Sequence, residues 1–254
     1  MWDINPSMDY HRAYELQLTH TDVETEYGTL KFLSLGSRYG YYIVPPTYEC
    51  GVLFFYHGSR GIALAKALVD TQLLKYASVY RTIIFFGQAD GVIEAPHIQP
   101  IYNHITYGEI YWGIRSAQNM ESDFEYTNNM ISYFKSHYHA QNFYYIGHSN
   151  GGVFALLLSV FLPNSFTAIV SHKGGLGFDK LFYLDFDRLK ESDRRTPILF
   201  FTSEHDIHRP VCEQAHELFT NMEFSSELIV APHDGHVYNH VYEKDMLDWL
   251  FSHK

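Results

Sequence analysis

The chain has few cysteines, no basic run and no long apolar run, and each of these features argues against a class of protein. Only two of its 254 residues are cysteines, Cys50 and Cys212, so neither a disulfide framework nor a cysteine-rich zinc site is expected. Its 18 basic residues are outnumbered by 29 acidic ones and form no basic run, which makes nucleic acid and anionic membranes poor partners. No apolar run is long enough to span a membrane, and the N-terminus lacks the basic and apolar segments of a signal peptide. We therefore expect a cytoplasmic protein without a membrane span, while its oligomeric state stays open.

Strand-like apolar runs alternate with helix-like segments along most of the sequence. Strands are predicted at 29–36, 39–44, 51–56, 80–86, 142–146, 166–171, 197–202 and 227–231, and helices at 62–76, 121–137, 153–161 and 240–251. Such alternation is typical of the α/β class, with a mostly parallel central sheet and helices on both faces. We expect a single domain over residues 1–254, with a short insert at 172–195 after the sixth strand.

The most informative motif is Gly147-His148-Ser149-Asn150-Gly151, which has the pattern GxSxG. It follows the fifth predicted strand and lies just before a predicted helix. A serine between a strand and a helix sits on a sharp turn that exposes its hydroxyl, and the N–H groups at the start of the helix can hold a developing oxyanion. A glycine-rich turn with an incidental serine is the alternative, but this setting favours Ser149 as a nucleophile.

A nucleophilic serine needs a base, and the base needs an acid that orients it. Asp206 follows the seventh predicted strand and His236 follows the eighth, which gives the chain order serine, acid, histidine. We therefore predict that Ser149 is the nucleophile, that His236 is the general base, and that Asp206 orients His236. The alternatives are Asp179 for the acid and His233 or His240 for the base.

A second turn, His57-Gly58-Ser59-Arg60, follows the predicted strand at 51–56. A His-Gly turn after this strand commonly supplies one backbone N–H of an oxyanion hole, and the residue after the nucleophile supplies the other. We predict Ser59 and Asn150 as the two donors, with Arg60 as the alternative to Ser59. A simple strand-to-helix turn is compatible with the same residues.

Substrate contacts are expected on the segment 87–119, which is long for a plain connection. It leaves a strand at the edge of the sheet where Ser149 is expected, so we predict that it forms a wall of the substrate pocket. Its candidate pocket residues are Gln88, His97, His104, Tyr107, Tyr111 and Trp112. Trp112 is the expected aromatic contact, and Arg60 and His148 are further predicted substrate contacts. A self-packed surface loop is the alternative.

Sixteen histidines raise the alternative of a metal site. The candidate ligands are His233, His236 and His240, which have the spacing HxxHxxxH, and a second cluster of His205, Asp206 and His208. On a helix the first three would share one face and could bind zinc. Pro232 and Asp234-Gly235 instead predict a turn there, and the chain has no HExxH motif. We therefore expect neither a metal nor a cofactor.

Taken together, these motifs resemble those of the α/β-hydrolase superfamily over nearly the whole chain. Within it, the chain is most similar to the esterase group that contains polyhydroxybutyrate depolymerases and feruloyl esterases. The motifs that carry this likeness are Tyr111-Trp112-Gly113, GHSNGG at 147–152, Asp206-Ile207-His208-Arg209-Pro210 and Asp234-Gly235-His236. The chain departs from that group at Ser59, where many members carry cysteine, and in lacking an export signal.

This resemblance implies an α/β-hydrolase fold and a serine hydrolase that acts through an acyl-enzyme, whereas the expected short-chain acyl or aryl ester rests on the pocket segments and not on the family. A small-molecule ester is then the expected partner. The charged, glycine-rich insert favours a compact ester over a long lipid chain. A serine peptidase or a thioesterase with the same triad is an alternative, and so is a catalytically inactive binding protein of the same fold.

Overall fold

In the computed structural model of the chain, the backbone is described for residues 9–49, 51–94, 108–112, 117–176 and 195–253, and side chains are described for these residues except 91–94, 108–111 and 117–119. The strands are β1 (Val23–Thr25), β2 (Gly28–Leu35), β3 (Arg38–Ile43), β4 (Gly51–Tyr56), β5 (Thr82–Gly87), β6 (Gly91–Glu94), β7 (Gly108–Tyr111), β8 (Asn142–His148), β9 (Ala168–His172), β10 (Ile198–Ser203) and β11 (Ser226–Ala231). The α-helices are α1 (Tyr10–Thr19), α2 (Ala63–Ala65), α3 (Leu73–Val79), α4 (Ala117–Tyr138), α5 (Asn150–Phe161), α6 (Arg209–Asn221) and α7 (Glu243–Ser252). A π-helical stretch (Lys66–Asp70) continues α2, and a 3₁₀-helix (His240–Tyr242) precedes α7.

Nine strands form one sheet in the order β1-β2-β3-β5-β4-β8-β9-β10-β11. The six strands from β5 to β11 in that order pair in parallel, whereas β1, β2 and β3 join them through antiparallel pairs. The predicted mostly parallel sheet is therefore confirmed, and the predicted strands at 29–36 and 39–44 correspond to the antiparallel pair β2 and β3. Because the carboxyl ends of parallel strands meet at one edge, the loops after β4, β8, β9, β10 and β11 are brought together there.

Side chains of the central strands pack against helices on both faces of the sheet. All six residues of β4 are buried, with Phe54 in one apolar cluster and Phe55 in the other. The Phe54 cluster contains Phe134 of α4 and Phe154 of α5, and the Phe55 cluster contains Leu247 of α7. Alternate residues of a strand point to opposite faces, so a continuous apolar run requires helices on both sides of the sheet. The layered arrangement follows directly from the runs seen in the sequence.

Three parts of the fold differ from the sequence-based expectation. The segment 87–119, expected to be irregular, contains the antiparallel hairpin of β6 and β7. The helix expected at 62–76 is interrupted because Thr71 has an extended backbone, and the N–H of Gln72 donates to the Glu243 carboxylate (2.9 Å). Helices α1 and α6 and strand β1 were not predicted. Residues 177–194 of the predicted insert lie outside the described residues, so its role as a rim of the pocket stays a prediction.

No helix in the described part of the chain combines the length and the apolarity that crossing a membrane requires.

Candidate active site

Ser149 occupies a sharp turn between β8 and α5. Its backbone has φ 52° and ψ −112°, a left-handed conformation that costs free energy for any residue other than glycine. The turn is held from both sides, since the Ser149 N–H donates to the carbonyl oxygen of His172 (2.8 Å) and the Ser149 carbonyl accepts from the N–H of Val153 (2.9 Å). The sequence therefore folds here into the strained strand–turn–helix that projects a serine hydroxyl from the sheet edge.

Two glycines allow this turn because backbone atoms crowd around them. A Cβ atom at Gly147 would lie 2.1 Å from the carbonyl oxygen of Gly151, and a Cβ at Gly151 would lie 2.3 Å from the carbonyl oxygen of Tyr56. Neither obstacle is a side chain that could rotate away. The helix after Ser149 can therefore approach the neighbouring strand only if both positions are glycine.

The side chains of Ser149, His236 and Asp206 form one chain of hydrogen bonds. The Ser149 Oγ lies 2.8 Å from His236 Nε2, and His236 Nδ1 lies 2.9 Å from Asp206 Oδ1. The Asp206 side chain has no exposed surface, whereas 23% of the His236 side chain is exposed. The carboxylate can only accept, so Nδ1 carries the proton and Nε2 is left to accept one from the serine.

The pKa of Asp206 is lowered in this environment. Burial acts in the opposite direction, but hydrogen bonds from His236 and from the N–H of His208 (2.8 Å) favour the charged carboxylate, and so does the nearby charge of Lys173. Asp206 therefore stays ionised beside His236. An ionised acid at this position holds the imidazole in one tautomer and stabilises its protonated form.

The loop that carries His236 is fixed by a buried lysine. Lys173 follows β9 directly, is 1% exposed, and donates from Nζ to the carbonyl oxygen of Gly235 (2.6 Å). Burial lowers its pKa, while Asp206 and Asp234 oppose this effect. The cation thus reaches across from one loop to the residue immediately before His236. Sequence analysis missed this lysine, and the only signal was a lysine directly after a buried strand.

The His57–Gly58 turn passes close to the nucleophile. A Cβ at Gly58 would lie 3.0 Å from the Cβ of Ser149. The Gly58 carbonyl accepts from His57 Nδ1 (2.7 Å) and from the N–H of Gly61 (3.0 Å). The C=O and N–H of a trans peptide point in opposite directions, so these two bonds also fix the direction of the Ser59 N–H. Asn150 is the first residue of α5, where an N–H has no partner within the helix.

A buried polar network holds the His57 ring. Because its Nδ1 donates to Gly58, its Nε2 accepts, and the N–H of Ala89 lies 3.2 Å away. Gln88 also contacts this nitrogen (3.3 Å), and Gln88 Oε1 accepts from Gln17 (3.0 Å) on α1. Burial is the main cause that lowers the pKa of His57, to about 3, so the ring stays neutral. Gln88 was expected in the pocket wall, but it lies in this buried network instead.

Trp112 does not contact the substrate side of the cleft, contrary to the sequence-based prediction. It is fully buried and stacks on Tyr56, with ring centroids 3.9 Å apart. Its indole N–H donates to the His57 carbonyl (2.9 Å), and its backbone N–H donates to Asn150 Oδ1 (2.6 Å). A large aromatic ring gains more from complete burial with its N–H paired than from lining a cleft. Trp112 therefore ties the His57 turn to the start of α5.

The prediction for His148 is also wrong. Its ring is buried against the rings of His236, His172 and Tyr238, and neither ring nitrogen reaches the surface or has a hydrogen-bond partner among the described residues. Burial is the main cause that holds the pKa of His148 well below its usual value, and the same holds for His172. The ring of His148 therefore packs behind His236 as a neutral group. Alternation along β8 places a residue next to Ser149 inside the protein.

Two of the other predicted site residues lie beside the His57–Gly58 turn, and the side chains of the rest are outside the described residues. Ser59 is exposed and Arg60 is half-buried with φ 64°, both beside the His57–Gly58 turn. His97, His104, Tyr107 and Asp179 lie outside the described residues, and so does the side chain of Tyr111. Their predicted roles stay predictions.

The HxxHxxxH spacing, which was weighed as an alternative, does not bring His233, His236 and His240 together as one ligand cluster. His236 is bonded to Ser149 and Asp206 through both ring nitrogens, and His240 begins a separate 3₁₀-helix. Within the described ranges, the group that does bring metal-ligating atoms within 4.8 Å of one another consists of Glu204, His205 and His233. The turn at Pro232 to Gly235 accounts for this difference, because a helical face is lost there.

Comparisons with known proteins agree with this architecture. The model of a family described as "Alpha/beta hydrolase of unknown function (DUF915)" matches residues 53–160. An uncharacterized hydrolase of Acanthamoeba polyphaga mimivirus is 27% identical over 222 residues, which cover 79% of this chain and 70% of that protein.

Several solved structures are similar over most of their length. An S-formylglutathione hydrolase from Agrobacterium tumefaciens has a TM-score of 0.67 and 15% identity, over 92% of this chain and 98% of that one. An acetyl xylan esterase from Aspergillus awamori has a TM-score of 0.64 and 15% identity, over 88% and 99%. The acyl-protein thioesterase 2 of Zea mays has a TM-score of 0.63 and 14% identity, over 84% and 97%. The chain has the α/β-hydrolase fold, as predicted, whereas its place in the depolymerase and feruloyl esterase group stays a prediction.

Proposed function

We propose that this protein is a serine hydrolase that cleaves carboxylic esters with short acyl or aryl groups. The observation that carries the proposal is the hydrogen-bonded chain from Ser149 Oγ through His236 to the buried Asp206 carboxylate, at distances of 2.8 and 2.9 Å. The strained backbone of Ser149 supports it further, because strain of this kind clusters at functional sites.

The proposed reaction has two halves. In the first, Ser149 Oγ attacks the ester carbonyl carbon while His236 Nε2 takes the hydroxyl proton. The tetrahedral intermediate collapses, and the alcohol leaves with the proton from His236, so that the acyl group stays on Ser149. In the second half, water gives a proton to His236 and attacks the acyl carbon. Ser149 then leaves with that proton, which restores the free enzyme.

Two backbone N–H groups are proposed to hold the oxyanion. These are the N–H of Ser59, whose direction is fixed by the bonds to the Gly58 carbonyl, and the N–H of Asn150 at the start of α5. Both are backbone groups whose direction is set by the turn and by the helix, so they need little reorganisation as charge develops. Losing one such donor costs about 3 kcal/mol of transition-state stabilisation in enzymes where it has been measured.

The proposed substrate class draws on the surface beside His236. Two apolar side chains next to the triad, Ile207 and Val237, are exposed. Ile207 follows Asp206 and Val237 follows His236 in the sequence, so both can offer apolar contact to a compact ester beside the triad. The solved structures of similar fold include proteins named as ester and as thioester hydrolases, so thioesters are the alternative substrate class.

A panel of substrates on purified protein tests the proposal. We expect p-nitrophenyl acetate and butyrate to be hydrolysed much faster than palmitate, and a fluorophosphonate probe to label the protein once. Ser149→Ala should abolish turnover and labelling with an unchanged melting temperature, whereas Ser34→Ala, at an exposed serine on β2, should retain both. Full turnover in Ser149→Ala would refute the proposed nucleophile. A preference for thioesters or peptides over all esters would refute the substrate class alone.

A further inference from the structure

A second cluster of reactive side chains lies on the surface next to the triad loops. It consists of Glu204, His205 and His233, whose nearest ligand atoms all lie within 4.8 Å of one another. Glu204 Oε2 is 3.7 Å from His233 Nδ1 and accepts from the His233 N–H at 3.3 Å. The side chains of His233 and Glu204 are 84% and 47% exposed, so an ion from solvent reaches them freely.

Sheet topology explains why these residues meet. Strands β10 and β11 are parallel neighbours, and their last residues, Ser203 and Ala231, are paired. The Glu204 N–H continues this pairing by donating to the Ala231 carbonyl (2.9 Å). His233 then has φ 67°, a left-handed turn that keeps its N–H and ring beside Glu204. The cluster therefore spans two loops that are separate in sequence.

Its chemistry fits a divalent metal of intermediate softness. Two imidazoles and one carboxylate form a ligand set that zinc takes, with metal–ligand distances of about 2.0–2.2 Å and water in the open position. Imidazole also binds copper and nickel, whereas calcium and magnesium prefer oxygen ligands alone. Exposed side chains rotate at little cost, so three ligand atoms within 4.8 Å can close around one ion.

We propose that Glu204, His205 and His233 bind one zinc ion, which joins the loop after β10 to the loop after β11. The ion takes no part in ester cleavage, because both nitrogens of His236 are engaged in the chain from Ser149 to Asp206. Its effect is to hold together the two loops that carry Asp206 and His236. Zinc binding does not require the proposed hydrolase activity, so the two proposals can be tested separately.

Titration of the chelator-treated full-length protein with zinc chloride tests the site. Calorimetry should give one zinc per chain with an affinity in the micromolar range. Cobalt(II) at the same site should show visible absorption bands typical of mixed nitrogen and oxygen ligands. The melting temperature should rise by about 5–10 °C when free zinc exceeds the dissociation constant about 100-fold, because an ion that binds only the folded state stabilises it.

Matched variants identify the ligands. His233→Asn tolerates the left-handed backbone and removes an imidazole, Glu204→Gln keeps an acceptor for the His233 N–H, and His205→Gln removes the third ligand. Each should weaken zinc binding by at least about tenfold, since even the loss of outer hydrogen bonds around a metal has effects of this size. His11→Gln is the control, because His11 and Glu15 form an exposed two-ligand pair at 3.4 Å on α1.

Two outcomes overturn the proposal: the intact protein binds no zinc, or the His205→Gln and His233→Asn double variant binds it as tightly as the intact protein. Ser149→Ala should bind zinc unchanged. If the protein binds zinc but hydrolyses no ester, the zinc site is supported and the proposed function fails. If it hydrolyses esters but binds no zinc, the proposed function is supported and the zinc site fails.

Discussion

Lys173 Nζ donates to the carbonyl oxygen of Gly235 at 2.6 Å, and this bond joins the loop after β9 to the residue before His236. The lysine is almost completely buried, and its charge contributes to the lowered pKa of Asp206. A buried cation that holds a backbone carbonyl is expensive to desolvate, so its presence here indicates that the position of the His236 loop matters. We interpret Lys173 as a positioning residue that acts through Gly235.

Replacing Lys173 by methionine tests that interpretation. Methionine has a similar length and the same cost at φ 55°, so the change removes the charge and the hydrogen bond alone. We expect kcat for p-nitrophenyl acetate to fall by about 10–100-fold with little change in KM, because the imidazole is displaced while the substrate surface is kept. An unchanged kcat, or a loss that lies entirely in KM, would contradict the positioning role.

Two substitutions of Asp206 separate the effect of its charge from the effect of its hydrogen bonds. Asp206→Ala should reduce kcat by about 10⁴-fold, the size of loss seen in another triad enzyme when an asparagine in place of the acid left the histidine in the wrong tautomer. Asp206→Asn should lose less. The N–H of His208 requires an acceptor at Oδ1, which keeps the amide oxygen facing His236 and preserves the tautomer. Steady-state kinetics with a melting curve for each variant measure the difference. Asp179→Asn is the control, and a loss there instead would move the acid to that position.

Truncation of Trp112 should destabilise the fold and leave substrate preference unchanged. Trp112→Ala removes a fully buried ring stacked on Tyr56, which costs about 3–5 kcal/mol, whereas Trp112→Phe retains the stacking and loses one hydrogen bond worth about 1 kcal/mol. Denaturant unfolding gives both values. In Trp112→Phe the ratio of kcat/KM for aryl and acetyl esters should match the wild type, because the indole has no exposed surface. A change in that ratio would indicate that Trp112 does contact the substrate.

Stability should fall in acid because three buried histidines resist protonation. The pKa values of His57, His148 and His172 are lowered by burial, whereas in the unfolded chain they are near 6.5. Below about pH 6.5 the unfolded state binds more protons than the folded state, so the free energy of unfolding decreases as pH falls, by about 1 kcal/mol per pH unit for each histidine.

His148→Phe isolates one of these contributions. The phenyl ring can keep the aromatic packing, and no hydrogen bond is lost, since neither nitrogen of His148 has a partner among the described residues. Its melting temperature should therefore drop less than that of the wild type between about pH 7 and pH 5. His139→Asn, at an exposed position with φ 53°, should keep the wild-type slope. Equal slopes for His148→Phe and the wild type would show that His148 is not held neutral.

The sequence by itself determined the layered fold and the order of the candidate site residues. Buried strands such as β4 can be recognised in the sequence as continuous apolar runs, because residues on both faces of a covered sheet must be apolar. The positions of Ser149, Asp206 and His236 followed from the same pattern, since each lies just past the end of one of these strands. Parallel strands bring such ends to one edge whatever the details of packing.

Only the tertiary structure decided which side chains near that edge face solvent and which are enclosed. Trp112 and His148 are residue types that often contact substrates, but both are buried here. Trp112 packs against Tyr56 and His148 against Tyr238, which are distant in the sequence. Lys173 and the cluster of Glu204 and His233 depend in the same way on contacts between different loops. No local periodicity encodes such contacts, since they arise when strands that are far apart along the chain become neighbours in the sheet.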